Sequence, residues 1–284
     1  ILVFEKVFNV TTDFTLLELS DTNNPLLKKL MSEAPGSFHH SLQVANLSES
    51  AASAIGANAL LCRVAALYHD IGKMNRPEYF IENQSGHNVH DNLKPSMSAS
   101  VIKEHVTKGV EMAEDHNLPD LIIDFIKTHH GTTVISYFYS KAKKTADKED
   151  KEHEVLEEDF KYNGPIPHSR ETGILLLADC VEASSRAMKQ PNYNKLNTLI
   201  NNMVDMRIKE GQLNNTPLTF RDINSIKNAF LTNLVGIHHG RVEYPDDKQD
   251  NNNSSSDETP EEKKKEKNKK DQKNYQAQND DTKA

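Results

Sequence analysis

One residue constrains this fold more than any other. Asp179 lies in the middle of the apolar run Gly173-Ile174-Leu175-Leu176-Leu177-Ala178-Asp179-Cys180-Val181. A helix this apolar is buried on most sides. A lone carboxylate inside it is costly, or neutralises itself through a shifted pKa. The fold must therefore carry positive charge to Asp179 from elsewhere. Taken alone, Asp179 reads as half of a buried salt bridge, with Arg186 or Arg63 as partner.

No segment shows convincing strand alternation and no internal repeat is visible, so an all-α helical bundle is expected. Residues 1–24 read as an entry segment, the end of a membrane-proximal linker, that precedes one domain over 25–245. Asn24 caps a helix begun by Pro25 and ended at Pro35-Gly36. A helix from about Phe38 to Ile55 carries His40, Val44, Leu47 and Ala51 on one stripe. Asn58 caps the next, which runs through Val64-Ala65-Ala66-Leu67 into Tyr68-His69-Asp70-Ile71-Gly72-Lys73, with Gly72 as its stop. Residues 74–95 form a long polar loop holding His87, His90 and Asp91, and loops of that length are usually functional. Helical period returns over Met97–Asp115 with His105 on the inner face, and over the segment from Pro119 to His129-His130-Gly131. A helix over Thr132–Ala142 leads into a charged insertion near 141–160, read as a solvated helix or a mobile piece. Ser169 caps the Asp179 helix. Residues 194–210 form another amphipathic helix, and Thr219-Phe220-Arg221-Asp222 resembles a capping box before the last one. Residues 246–284 are almost devoid of apolar types and are expected to be a disordered polar tail.

His40, His69, Asp70, His105, His129, His130 and Asp179 all fall on or at the ends of apolar helices. Each has a plainer reading on its own, as a core histidine or a helix-end residue favoured by the dipole. Several helices each turning a His or Asp inward is how bundles build metal sites. The set exceeds what one ion needs, and two ions sharing a carboxylate would use it. Asp70 is the natural bridge because its oxygens can each face one ion. His69 and Asp70 diverge by about 100° on a helix, yet converge if the helix ends there. Mixed imidazole and carboxylate donors suit Mn, Fe or Zn and disfavour Ca or Mg. Cys62 and Cys180 sit in apolar runs and read as reduced core residues, so a cysteine-rich zinc site is not expected.

The net charge of −8 argues against a DNA or long-RNA binder, since phosphate-tracking surfaces are basic. A pocket for a small phosphorylated ligand stays open. No apolar run is long enough to span a bilayer. The chain of 284 residues starts at Ile1, so it is expected to be part of a longer protein.

His40-Ser41, His69-Asp70-Ile71-Gly72-Lys73 and Asp179 resemble the pattern of HD-domain metal-dependent phosphohydrolases, and His105 with His129-His130 resembles their binuclear branch. Ala34-Pro35-Gly36-Ser37-Phe38-His39-His40-Ser41-Leu42, Tyr79-Phe80-Ile81-Glu82-Asn83-Gln84, His90-Asp91, His129-His130-Gly131-Thr132 and Tyr162-Asn163-Gly164-Pro165-Ile166-Pro167 are similar to the PgpH-type cyclic di-AMP phosphodiesterases. The resemblance covers about residues 1–240. It implies an HD-domain helical bundle, an intracellular domain tethered to the cell membrane through a preceding region, and a cyclic dinucleotide substrate. A homodimer is a further partner to be tested. The implied cofactors are two divalent transition-metal ions, Mn or Fe. One is implied on His40, His69, Asp70 and Asp179, the other on Asp70, His105, His129 and His130.

The implied reaction is attack of a metal-bridging hydroxide on a phosphodiester, opening cyclic di-AMP to linear 5′-pApA. Asp70 and Lys73 are the implied catalytic residues, Lys73 by holding a non-bridging oxygen. His90, Asp91, Tyr162, Asn163 and Gly164 are expected to touch substrate. A proline common before the loop histidine is Val89 here. His39 is expected to point away, and His87, His116, His153, His168, His238 and His239 to lie on the surface. A cyclic di-GMP enzyme would carry Gly-Tyr-Pro after the His pair, where this chain reads Gly131-Thr132-Thr133-Val134. A nucleotide or alarmone hydrolase would not need the three later imidazoles. A non-catalytic nucleotide sensor is the alternative of another class.

Overall fold

The structure is a computed structural model that describes Glu5 and residues 10–86, 88–148 and 155–239. Internal contacts divide the chain into Ile1–Arg241 and Val242–Ala284, and only the first unit contains described residues. The tail expected over 246–284, together with His87 and His153 and the side chains of His238 and His239, lies outside the described residues.

The described residues are helical, and the one strand-like pairing among them is an isolated bridge between Val134 and Lys161. The helices are α1 (Asp13–Leu19), α2 (Pro25–Glu33), α3 (Pro35–Ile55), α4 (Ala59–Tyr68), α5 (Pro95–Asp115), α6 (Asp120–Thr128), α7 (Ser136–Lys148), α8 (Arg170–Arg186), α9 (Tyr193–Lys209) and α10 (Phe220–His239). None is long and apolar enough to cross a membrane.

Helix α3 is the centre of the bundle. It packs on α2, α4, α8 and α10, and Val44, Ala45, Leu47, Ala51 and Ala52 are fully buried. A helix covered on so many sides has no wide polar face to spare. Gly56 ends it at φ +65°, the left-handed position that releases the chain into α4. Asn58 caps α4 through Leu61 N at 2.9 Å. Every residue of α4 from Leu61 to Tyr68 is buried except Arg63. Helix α1 closes over it, with Leu16 buried and the Leu19 carbonyl accepting the Tyr68 hydroxyl at 2.8 Å. The segment expected as an entry piece thus contains a helix that packs on the core.

Several elements begin or end away from the expected place. Helix α3 starts at Pro35, directly after α2, with no side-chain cap on Ala34. Residues expected as one polar loop between α4 and α5 instead form a chain of short 3₁₀ turns, Ile71–Asn75, Pro77–Tyr79, Ile81–Asn83 and Val89–Asn92. Helix α7 starts at Ser136 rather than Thr132 and runs to Lys148, so the charged stretch begins as helix. Its far side returns to the body: Phe160 is buried with Ala99 and Phe138 in a second apolar cluster.

Helix α8 is held at its start by a capping box between Ser169 and Thr172. It crosses α3, α4, α6, α9 and α10. That path sets Asp179 against the ends of α4 and α6.

Candidate metal centre

Helix α4 stops just short of its chemistry. His69 still has helical backbone, but Asp70 turns out at φ −108° and ψ 15° and opens the Ile71–Asn75 turn. Gly72 does not stop the helix, as the sequence led one to expect. A Cβ at Gly72 would strike the carbonyl oxygen of His105 and the backbone nitrogen of Gly109. Its role is to let α5 touch the turn, which brings His105 beside Asp70.

The side chains then meet. His40, His69 and Asp70 offer ligand atoms within 4.8 Å of one another, and so do Asp70, His105, His129 and His130. Asp70 belongs to both groups. Its Oδ2 is 3.5 Å from His40 Nε2 and 3.3 Å from His69 Nε2. Its Oδ1 is 3.5 Å from His105 Nε2 and 3.7 Å from His129 Nε2. Asp179 joins from α8, with Oδ1 2.9 Å from His40 Nε2 and 3.8 Å from His69 Nε2. Its Oδ2 faces the other group, 3.5 Å from His130 Nδ1. Asp179 therefore stands between the groups and is not confined to the first. Neither Arg63 nor Arg186 supplies its counter-charge: Arg63 pairs with Glu49 at 2.7 Å and Arg186 lies 3.6 Å from Glu182.

The imidazoles are aimed by what holds their other nitrogen. His69, His105 and His129 each donate Nδ1–H to the carbonyl three residues earlier, those of Ala66, Ile102 and Ile126, at 2.7, 2.5 and 2.8 Å. That leaves Nε2 of each as the nitrogen turned inward. His40 differs, because its Nδ1 bonds the carboxylate of Glu182. Glu182 was not singled out in the sequence. Its signal was there: it stands three residues after Asp179, on the same face of α8.

Charge is unevenly held. Burial drives His129 down to about 3, helped by His69 and His105, and drives His130 well below its ordinary value, helped by His129. Both are neutral, the form that can ligate a metal. Burial also lowers His69, but Asp70 and Asp179 outweigh it and raise it to about 10. Burial would raise the Asp70 and Asp179 carboxyls. Asp70 is instead held well below 3.8 by His69 and Lys73, and Asp179 by its hydrogen bond with His40 and by the nearby His69 and His130 imidazoles. The acids call for positive charge, and protons and metal ions compete to supply it.

Lys73 is another part of that charge. Its Nζ lies 2.6 Å from Asp70 Oδ2 and 2.8 Å from Glu82 Oε1, so it is neither solvated nor free. Glu82, which the sequence placed in a motif without giving it a role, is held down to about 2; burial opposes this and Lys73 overcomes it. Ser37 Oγ donates to the same Glu82 oxygen at 3.0 Å.

The remaining expected residues are scattered. Tyr162 stacks on His130, centroids 4.1 Å apart and planes at 26°. Asn163 is exposed, and Gly164 packs near Thr132. His90 is buried elsewhere, its ring against Tyr79 and Phe138 and its Nε2 on the Tyr79 carbonyl at 2.8 Å. Asp91 is exposed, 3.8 Å from Lys141. His39, His116 and His168 are exposed.

These imidazole and carboxylate donors fit divalent metal. His69 Nε2 and Asp70 Oδ1 are buried without a hydrogen-bond partner, which is costly unless something else engages them. No thiolate joins the set, since Cys180 turns to Met203 Sδ at 3.7 Å. Access lies on one side: the His130 side chain is 21% exposed and Lys73 12%, against 0% for His69 and His129.

The HD domain family model matches residues 37–184. The cyclic-di-AMP phosphodiesterase PgpH of Bacillus subtilis (strain 168) is 43% identical over 244 residues, 86% of this chain and 34% of that protein. PgpH of Listeria monocytogenes serotype 1/2a is 43% identical over 247 residues, 87% of this chain and 34% of that protein. The chain thus spans about a third of the length of these curated relatives. The crystal structure of the L. monocytogenes PgpH HD domain in complex with cyclic-di-AMP superposes with a TM-score of 0.72 at 42% identity, covering 78% of this chain and 100% of that one. With its matched segment running from the start of α3 to the end of α8 and enclosing the whole His and Asp cluster, the chain belongs to the HD domain family.

Proposed function

We propose that this chain is a metal-dependent phosphodiesterase domain that opens cyclic di-AMP to linear 5′-pApA. The observation that carries this reading is the meeting of His40, His69, Asp70, His105, His129 and His130 in two groups that share Asp70, with Asp179 against a histidine of each. The choice of substrate is supported by the 42% identical HD domain whose crystal structure is a complex with cyclic-di-AMP.

One ion would be held by His40, His69, Asp70 and Asp179, and the second by Asp70, His105, His129 and His130. When bound, the pair supplies an activated water and offsets charge on the phosphoryl oxygens. The chain's own residues do the rest. Neutral His129 and His130 present lone pairs without first losing a proton. Lys73, anchored by Glu82 beside Asp70, supplies a fixed positive charge at the centre for a non-bridging phosphate oxygen. Tyr162 fixes the plane of His130 and extends the exposed side of the site. Asn163 and Gly164 follow it in sequence and would meet the nucleotide. His90 acts at a distance, by holding the turn that carries Tyr79.

The test is incubation of the Mn-loaded chain with a panel of cyclic dinucleotides, with products separated by chromatography. Conversion of cyclic di-AMP to pApA is expected. Asp70→Ala should lose turnover by at least a thousandfold, of the order seen when a group essential to the reacting centre is removed, while keeping its helical circular dichroism. A metal-loaded chain inert towards cyclic di-AMP, or a D70A variant of near-normal activity, overturns the proposal.

A further inference from the structure

Glu182 is a buried acid, 5% exposed, in the apolar helix α8. One helical turn before it, Asp179 faces the metal centre. The two acids hold opposite edges of one imidazole. Asp179 Oδ1 lies 2.9 Å from His40 Nε2, and Glu182 Oε2 bonds His40 Nδ1. The other imidazoles that present Nε2 rest on neutral main-chain carbonyls. Apart from Asp70 and Asp179, which stand among the proposed ligands, Glu182 is the one carboxylate that pairs with a histidine of this centre among the described contacts. Its one other ionic neighbour, Arg186 Nη2 at 3.6 Å, is about a third exposed and one turn further along.

We infer that Glu182 is the positioning residue of the first metal site: it fixes the tautomer and plane of His40 and strengthens it as a donor. This rests on the two-ion reading above. The physical reason is that a ligating imidazole must leave Nε2 unprotonated, which requires its proton on Nδ1. A carboxylate on Nδ1–H holds the proton there, and raises the basicity of the ligating nitrogen. Helix α8 then does two things with a single axial setting. It delivers Asp179 and orients His40, so any slip of the helix disturbs both together. The capping box at Ser169 and Thr172 sets that position.

The competing explanation is a structural ion pair with a protonated His40 and no bearing on metal. Glu182→Gln separates the two, since it keeps the shape and a hydrogen-bond acceptor while removing the charge. Unsubstituted and E182Q chains, both purified metal-free and checked by circular dichroism, are titrated with Mn by calorimetry, and bound metal is counted by elemental analysis. In the positioning role, the unsubstituted chain binds two Mn, and in E182Q one of the two sites weakens 10–100-fold while the other is unchanged. In zinc-loaded protein, the ¹⁵N resonances of His40 also shift in E182Q. Equal affinity at both sites in the two chains overturns the inference and leaves the enzyme reading standing. An unsubstituted chain that binds no Mn overturns both. Should E182Q be unfolded when metal-free, Glu182→Asp is titrated instead, because its shorter carboxylate cannot hold the same bond, and unaltered affinity there overturns the inference equally.

Discussion

At Gly72 a methyl group would strike the carbonyl oxygen of His105 and the backbone nitrogen of Gly109. Both belong to the main chain of α5, so neither can rotate away. At Gly109 the added carbon would meet Cγ2 of Ile126 at 2.9 Å, the end of a side chain that can give a little. Gly72→Ala should therefore push α5 off the turn that follows Asp70, moving His105 with it. The expected cost is about 3 kcal/mol of stability, read from urea midpoints, with loss of Mn binding at the group that uses His105. Gly109→Ala should cost clearly less. A G72A chain with the unsubstituted midpoint and full Mn content would show that this close approach does not set His105. Sequence pointed to Gly72 but gave it the wrong task, because the atoms it must avoid lie on a helix far along the chain. Glu182 and Glu82 were harder to see. An acid near an arginine or lysine reads as an ordinary surface pair, and only burial reveals that it serves a histidine or an anchored ammonium.

At the scale of elements, side-chain caps were the dependable signals. Asn24, Asn58, Ser169 and Thr219 all accept from the first turn of the helix each was expected to start. Two starts without such a cap were misplaced. Helix α3 begins on Pro35 with no cap, and α7 begins late because Thr132 is taken by Gln212, whose Oε1 accepts Thr132 N at 2.9 Å. The contacts among the short turns from Ile71 to Asn92 were not legible at all, since they depend on Lys73, Glu82 and Ser37 meeting across the fold. A cap also makes a pH prediction. The backbone N–H and hydroxyl of Thr219 donate to Asp222 Oδ2 at 3.0 and 2.8 Å and lower its carboxyl below 3.8. A carboxyl lowered in the folded state stabilises the protein above its unfolded value, and that contribution fades as pH falls through the folded one. Asp222→Asn should therefore be less stable than the unsubstituted chain at pH 7, by Tm, and the gap should close below about 3.8. A gap of constant size on both sides of that pH would exclude the cap carboxylate as its source.

Across the described part of the molecule, the centre is where distant pieces of chain are forced together. His40 and Asp179 are 139 positions apart, yet their side chains touch. The same spot draws on the second turn of α3, the ends of α4 and α6, the inner face of α5 and the middle of α8. Without an ion, mutual attraction between acids and protonated imidazoles must hold these pieces. A bound ion replaces those protons with a stronger tie, and it cannot form that tie in the unfolded chain. Metal should consequently stabilise the fold by about 4 kcal/mol at a thousandfold excess over Kd, a rise in Tm of about 10 °C for a domain of this size. Asp70 serves both groups, so D70A should lose most of that rise. Asp222 lies at the start of α10, away from the ligands, so D222N should keep it. Calorimetric scans of the three chains with and without Mn make the comparison. A Tm indifferent to Mn in the unsubstituted chain, or a D70A chain that rises as far, would mean that the cluster is held by its own ion pairs and that the ions are not what joins these helices.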